Sequence, residues 1–230
     1  GIGGGSTMDV AKALSILLNN KGKTSNYQGW DLVKNKAIYK VGVPTIAGTG
    51  SESTKTCVLT NKSKNMKLGI NSEYSIFDEI ILDPSLLKTV PRDQFFYTGM
   101  DSYIHAFESN KTITQNAFSK NLSDLTIKLC NQIFNSNNMM SKKNTERLML
   151  ASYFGGISIA YSTVGIVHPF SAGLSVVFGT KHCLANCIVL NSLHDFYPEN
   201  YKKFKKFIKI QKIKIPKNIC KNITKKKLLK

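Results

Sequence analysis

Asp101 and His105 stand four residues apart in GMDSYIHAFES. On a helix that spacing puts both on one face, where a carboxylate and an imidazole can share a divalent cation. His168 and His182 lie within GIVHPFSAGLSVVFGTKHCLANCIVL, an apolar, small-residue setting in which histidine is unusual without a partner. Pro169, Gly173 and Gly179 are expected to break any single helix between them, so that a loop brings the two rings together. One carboxylate and three imidazoles form an N/O donor set suited to Fe2+ or Zn2+, with a position open for substrate or water. Each piece also has a plainer reading: Asp101 and His105 as an ordinary helix-surface pair, His168 as a satisfied core histidine. The remaining histidine, His194 beside Asp195, reads as surface.

A second chemistry is written at the start of the chain. GIGGGSTMDVAK sets three consecutive glycines and Ser6 ahead of a helical pattern, so the backbone can approach a ligand and the first-turn amides can face an anion. Ser6 and Asp9 also form a capping-box pattern. The spacing is neither G-x-G-x-x-G nor a Walker loop. PTIAGTGSES (Pro44 to Ser53) is another passage from strand to glycine loop, rich in hydroxyls. Either loop alone reads as a tight turn and cap; the two together on one α/β layer point to a dinucleotide site.

The elements that must position these groups follow from periodicity. Val10, Ala13, Leu14, Leu17 and Leu18 repeat at helical spacing, Ala37 to Ile46 is a β-rich run, and Glu79 to Pro84 reads as a further strand. Strands separated by helices predict a partial α/β nucleotide-binding domain over residues 1–87. Segments 94–109, 115–135, 144–163 and 182–196 predict an all-helical metal-binding domain over 88–200, with the boundary near Asp83 to Pro91. Residues 201–230 form a basic segment expected to be frayed helix or disordered.

Composition narrows the partners. Of the formal charge of +18, thirteen lysines after residue 200 account for +13, leaving +5 for the first 200 residues. Arginine, the preferred reader of phosphate and base edges, occurs only as Arg92 and Arg147. The basic end therefore reads as a solvated tail rather than a nucleic-acid arm. The apolar runs fall short of the ~20 residues of a membrane span, and five scattered cysteines fit reduced thiols of a cytosol, with no function assigned to them. A soluble cytoplasmic protein with neither nucleic-acid nor membrane partners is expected.

The motifs coincide with a known family. GGGSTMDVAK, PTIAGTGSE, KLGINS, ILDPSL, GMDSYIHAFES and the block from Gly165 to Ile188 resemble, in order and spacing over nearly 190 residues, the iron-containing (group III) alcohol dehydrogenases. The resemblance implies a dehydroquinate synthase-like architecture, an NAD or NADP cofactor and a divalent metal. It implies that Gly4, Gly5 and Ser6 meet the pyrophosphate, with Asp9 in the same cofactor set. Thr45, Thr49 and Ser51 would line the nicotinamide side, Lys67 would reach a ribose, and Asp101, His105, His168 and His182 would hold the metal. The implied reaction is hydride transfer from a metal-polarised alcohol. More narrowly, YQGWDLVK, PRDQFFYTGMDSYIH and VHPFSAGLSVV resemble the branch that oxidises C8 of 3-deoxy-D-manno-octulosonate (Kdo) ahead of an aminotransferase in lipopolysaccharide biosynthesis. Ala172 departs from a pattern in which many members carry a second histidine four residues after the third ligand. The resemblance further implies a homodimer and an excerpt that lacks an earlier α/β segment of roughly 90 residues. Three rival readings are another small alcohol or polyol as substrate, a basic polyanion-binding protein, and an inactive truncated chain.

Overall fold

The computed structural model describes residues 1–221. Strand β1 (Ile2–Gly3) leads into helix α1 (Gly5–Leu17), followed by β2 (Gly29–Trp30), β3 (Val41–Pro44), β4 (Thr56–Asn61), β5 (Met66–Asn71) and β6 (Glu79–Ile80). Six helices follow: α2 (Arg92–Ser109), α3 (Ala117–Phe134), α4 (Lys142–Ala160), α5 (Val167–Phe178), α6 (His182–Leu190) and α7 (Pro198–Gln211). β1, β3 and β6 make a parallel sheet in the order β1-β3-β6, and β2-β5-β4 make a second, mixed one. The α/β layer followed by helices has the expected class of architecture. The β4–β5 hairpin, in register from Thr56↔Asn71 to Asn61↔Met66, did not emerge from the sequence. Asn65 at φ 50° closes its turn, a left-handed conformation that asparagine tolerates.

Several expectations change. The run from Glu79 to Pro84 is a strand only to Ile80, because the Asp83 carboxylate accepts from the Ser85 amide and Pro84 opens a short 3-10 turn over Pro84–Leu87. Helix α5 continues through Pro169 and Gly173; Pro169 falls in the first turn, where a missing N–H costs no intrahelical bond. The break comes at Gly179, whose φ of 67° is left-handed. The basic segment also begins as structure. α7 buries Phe204 and Phe207 and turns its lysines outward. Arg92 donates to the Gln211 carbonyl and side chain at 2.7 and 3.0 Å, and Gln211 donates to the Phe134 carbonyl at 2.9 Å. Apolar residues every third or fourth position among the lysines thus made an amphipathic helix. The expectation for residues 222–230 lies outside the described residues.

Packing centres on α2, whose residues from Thr98 to Ser109 are all buried. It runs against α3, α4 and α6, with Phe96 edge to face on Phe134 at 5.1 Å and Phe134 tilted against Phe207 at 5.5 Å. A helix enveloped on every side can keep polar side chains only where they find partners; α2 carries Asp101, His105 and Glu108. On α1 the inward face is Met8, Lys12, Ala13, Ser15 and Ile16, while Val10, Leu14 and Leu18 from the apolar pattern remain exposed. Among the described residues no helix is long and apolar enough to cross a membrane.

Candidate metal centre and cofactor loops

Helical spacing puts Asp101, His105 and Glu108 on one face of α2. α5 presents His168 from its first turn, and the turn at Gly179 returns the chain so that His182 opens α6 on the same side. The closest approaches to the Asp101 carboxylate are 3.7 Å for His105 Nε2, 3.4 Å for His168 Nε2 and 3.8 Å for His182 Nε2. Donors about 2.1 Å from a tetrahedral ion lie about 3.4 Å from one another. Ligand atoms of Asp101, His168 and His182 all fall within 4.8 Å of one another. His105 stands outside that three-way cluster and stacks on the His168 ring, centroids 4.6 Å apart and planes 12° apart.

The electrostatics suit a cation. Burial pushes the Asp101 carboxyl up, but the surrounding imidazoles outweigh it and hold it well below the usual carboxylate range. Burial drives His105 down to about 4 against the pull of Asp101, and lowers His182 too, so both present neutral imidazoles with lone pairs. Burial also opposes charge on His168, yet Asp101 and Glu108 carry it up to about 9. Its Nε2 approaches Asp101 without hydrogen-bond geometry and has no partner; nor, separately, has the buried His105 Nδ1. A buried carboxylate whose negative charge draws a cation into the cluster, set among three imidazoles of which two are held neutral, fits a divalent ion.

Three neighbours escaped sequence reasoning. Glu108 bonds His168 Nδ1 at 2.7 Å. Asn186 donates to Asp101 Oδ1 at 2.5 Å, and the Cys183 thiol to Oδ2 at 3.3 Å. Glu108 and Asn186 had a usable signal: one lies seven residues after Asp101, the other four after His182, each a helical-face spacing. His194 is exposed beside Asp195, as expected.

The cofactor candidates gather around the start of α1 and loop 47–54, which touches α2 through Ser102. Gly4 opens α1 without any side-chain cap, so the expected Ser6–Asp9 capping box is absent. Asp9 instead accepts from the Ser51 hydroxyl at 2.6 Å, a pairing that ties the two glycine loops together. The Thr45 amide donates to the Gly3 carbonyl at 2.8 Å, and a Cβ at Gly5 would lie 2.8 Å from Thr49 Oγ1. The uncapped helix start next to these close-set glycines is a cradle fit for a phosphate. Loop 47–54 is clamped from behind: Ser102 donates to the Gly48 carbonyl at 3.0 Å, Ser152 accepts from the Gly50 amide at 3.2 Å and donates to Glu52 at 2.7 Å. Lys67, half-buried on β5, is lowered by burial and feels Asp9 and Cys183, which places it between loops and metal centre.

A carboxylate–imidazole cluster that could hold a metal, with two glycine loops shaped to admit a phosphate, has the donor set of a metal- and dinucleotide-binding class of protein. The sequence matches the iron-containing alcohol dehydrogenase family over residues 1–84 and the C-terminal part of the Fe-containing alcohol dehydrogenase family over residues 95–227. The chain belongs to the iron-containing alcohol dehydrogenase family. It is 34% identical over 187 residues to sulfoacetaldehyde reductase of Bilophila wadsworthia, covering 80% of this chain and 48% of that protein. The iron-containing alcohol dehydrogenase of Thermotoga maritima superimposes with a TM-score of 0.80 at 26% identity, over 92% of this chain and 62% of that one. Sulfoacetaldehyde reductase of Bifidobacterium kashiwanohense, solved with NAD+, shares the fold with a TM-score of 0.84 at 22% identity, over 98% of this chain and 66% of that one. The chain spans about half the length of the curated relatives it matches.

Proposed function

We propose that the protein interconverts a primary alcohol and an aldehyde, with Asp101, His105, His168 and His182 holding Fe2+ or Zn2+ and the glycine loops holding NAD or NADP. The observation that carries this reading is the use of adjacent faces of α2. Asp101 faces the imidazoles while Ser102, the next residue and about 100° further round the helix, bonds the Gly48 carbonyl of the candidate cofactor loop, which brings loop and metal residues together. When bound, the metal supplies Lewis acidity at the alcohol oxygen and the nicotinamide supplies the carbon that exchanges hydride. Gly4, Gly5 and Ser6 offer uncapped amides to the pyrophosphate, Thr45, Thr49 and Ser51 bound the nicotinamide side, Asp9 fixes the Ser51 hydroxyl, and Lys67 reaches toward a ribose. Ala172, one turn beyond His168, carries no proton, so the alcohol proton has no relay through a side chain at that position.

For the substrate we take C8 of Kdo, on the strength of YQGWDLVK, PRDQFFYTGMDSYIH and VHPFSAGLSVV. The aldehyde product is what an aminotransferase would consume next. A cytoplasmic homodimer belongs to the same reading. The test is an absorbance assay of reduced cofactor with the metal-loaded protein, offered Kdo, 1,3-propanediol and glycerol in turn with NAD+ and NADP+. Turnover of Kdo alone is expected; turnover of propanediol with none on Kdo moves the substrate to the simple diols. The polyanion-binding alternative loses part of its basis here, because residues 198–211 are a packed helix.

A further inference from the structure

Glu108 is fully buried and lies directly behind His168. Its Oε2 meets His168 Nδ1 at 2.7 Å, while Oε1 accepts from the Val167 amide at 2.8 Å and from the Tyr197 hydroxyl at 3.1 Å. Room for this arrangement is made by Gly165, where a Cβ would sit 2.6 Å from both Oε1 and the Tyr197 oxygen. The geometry points to Glu108 as a positioning residue that fixes the tautomer of His168, keeping the proton on Nδ1 and the lone pair on Nε2, toward Asp101. This inference rests on the metal reading above.

The reasoning is one of donors and acceptors. A carboxylate only accepts, so Nδ1 must carry the hydrogen and Nε2 is the nitrogen left to ligate. The stacked His105 ring covers one face of the imidazole and restrains its plane. Glutamine at position 108 keeps the shape and breaks the logic. With its NH2 toward His168, Nδ1 must accept and the proton moves to Nε2, closing the ligand atom. With its NH2 toward Oε1's partners, it opposes the Val167 amide, which cannot turn into an acceptor. The first orientation satisfies all three neighbours but closes Nε2 to the ion; the second keeps Nε2 open but leaves the Val167 amide without an acceptor.

The test uses the full chain and Zn2+ as probe, in competition with a chromophoric chelator at fixed pH. Glu108→Gln is expected to weaken Zn2+ binding by 10–100-fold, the range of a lost outer-shell partner. Tyr197→Phe, which spares the His168 contact, should stay within about threefold of wild type by the same measure. In a His168→Ala background, Glu108→Gln should cause no further loss; a purely structural role would still show there. Wild-type affinity in Glu108→Gln overturns the inference while leaving the metal reading intact. Failure of the unaltered chain to bind Zn2+ overturns both. Should Glu108→Gln not fold, 15N-histidine NMR of the Zn2+-loaded wild-type chain decides: Nδ1–H on His168 is expected, and Nε2–H with metal on Nδ1 overturns it.

Discussion

The candidate metal centre and the candidate cofactor loops both lean on α2, through Asp101 and the adjacent Ser102, and are built on opposite principles. At the metal centre, side chains do the holding: buried charges and lone pairs converge from three helices, and nitrogens such as His168 Nε2 have no protein partner. In loop 47–54, backbone does the holding: carbonyls and amides are taken by Ser102, Ser152 and Lys12, and space is used up to contact distance. A site made of lone pairs breaks when a side chain is removed, with modest effect on the fold. One made of close backbone approach breaks when an atom is added.

The largest effect expected from that contrast is functional. His168→Ala should cost more Zn2+ affinity than the ~10–100-fold of an outer-shell loss and abolish turnover with it, while the circular dichroism spectrum is retained. Full activity with normal metal content in that variant removes the site as described. The mirror experiment adds one methyl to the loop. At Gly48, with φ 141°, a Cβ would lie 1.9 Å from the Thr98 carbonyl oxygen, so Gly48→Ala combines backbone strain with an unavoidable clash. A loss of about 3–5 kcal/mol is expected in urea unfolding. A loss below about 1 kcal/mol would mean that loop and α2 separate more easily than their contacts imply.

The same contrast explains what could be read in the sequence. That Asp101 and His105 share a face was legible because i,i+4 spacing is a property of the helix itself, and that His182 has a buried neighbour because a histidine in an apolar run needs a reason. Glu108 and Asn186 obey the same spacing, yet their partners His168 and Asp101 arrive from other elements, so only the assembled helices give them meaning. Pro169 misled because a proline signals a break unless it falls in the first turn, and where a turn begins is a tertiary outcome. The lysines of α7 concealed Phe204 and Phe207, whose burial depends on a groove between helices distant in sequence. The Ser6–Asp9 pattern was a local rule overridden by a long-range bond, Asp9 with Ser51.

Lys12 gives the comparison a pH axis. It is fully buried on α1, donating to the carbonyls of Thr54 and Thr56 at 2.6 and 3.0 Å, and burial lowers it from 10.5 to about 8 despite Asp9 and Glu52. Between those values the unfolded chain binds the proton that the folded chain has released, so stability must rise with pH through this window and the cost is fully present below it. From pH 7 to pH 10 the gain from this one group is roughly 2–3 kcal/mol. The difference in unfolding free energy between wild type and Lys12→Met should grow in favour of wild type by that amount. A difference flat with pH would mean that the amine is hydrated and the loop less tightly closed.

The smallest effect has the opposite sign. Gly173 lies within α5, where a Cβ would meet nothing within 4 Å, so neither reason that protects Gly48 applies to it. Alanine there removes backbone freedom from the unfolded chain and adds a good helix former, worth about 0.5–1 kcal/mol of stabilisation. The change leaves His168 in the first turn with its partner Glu108 untouched. Zn2+ affinity should therefore hold while the thermal midpoint rises, which separates rigidity of α5 from orientation of its histidine. If Gly173→Ala instead weakens metal binding, α5 must bend at that glycine when the imidazole takes up the ion, and the centre is less preorganised than the positions of its donors imply.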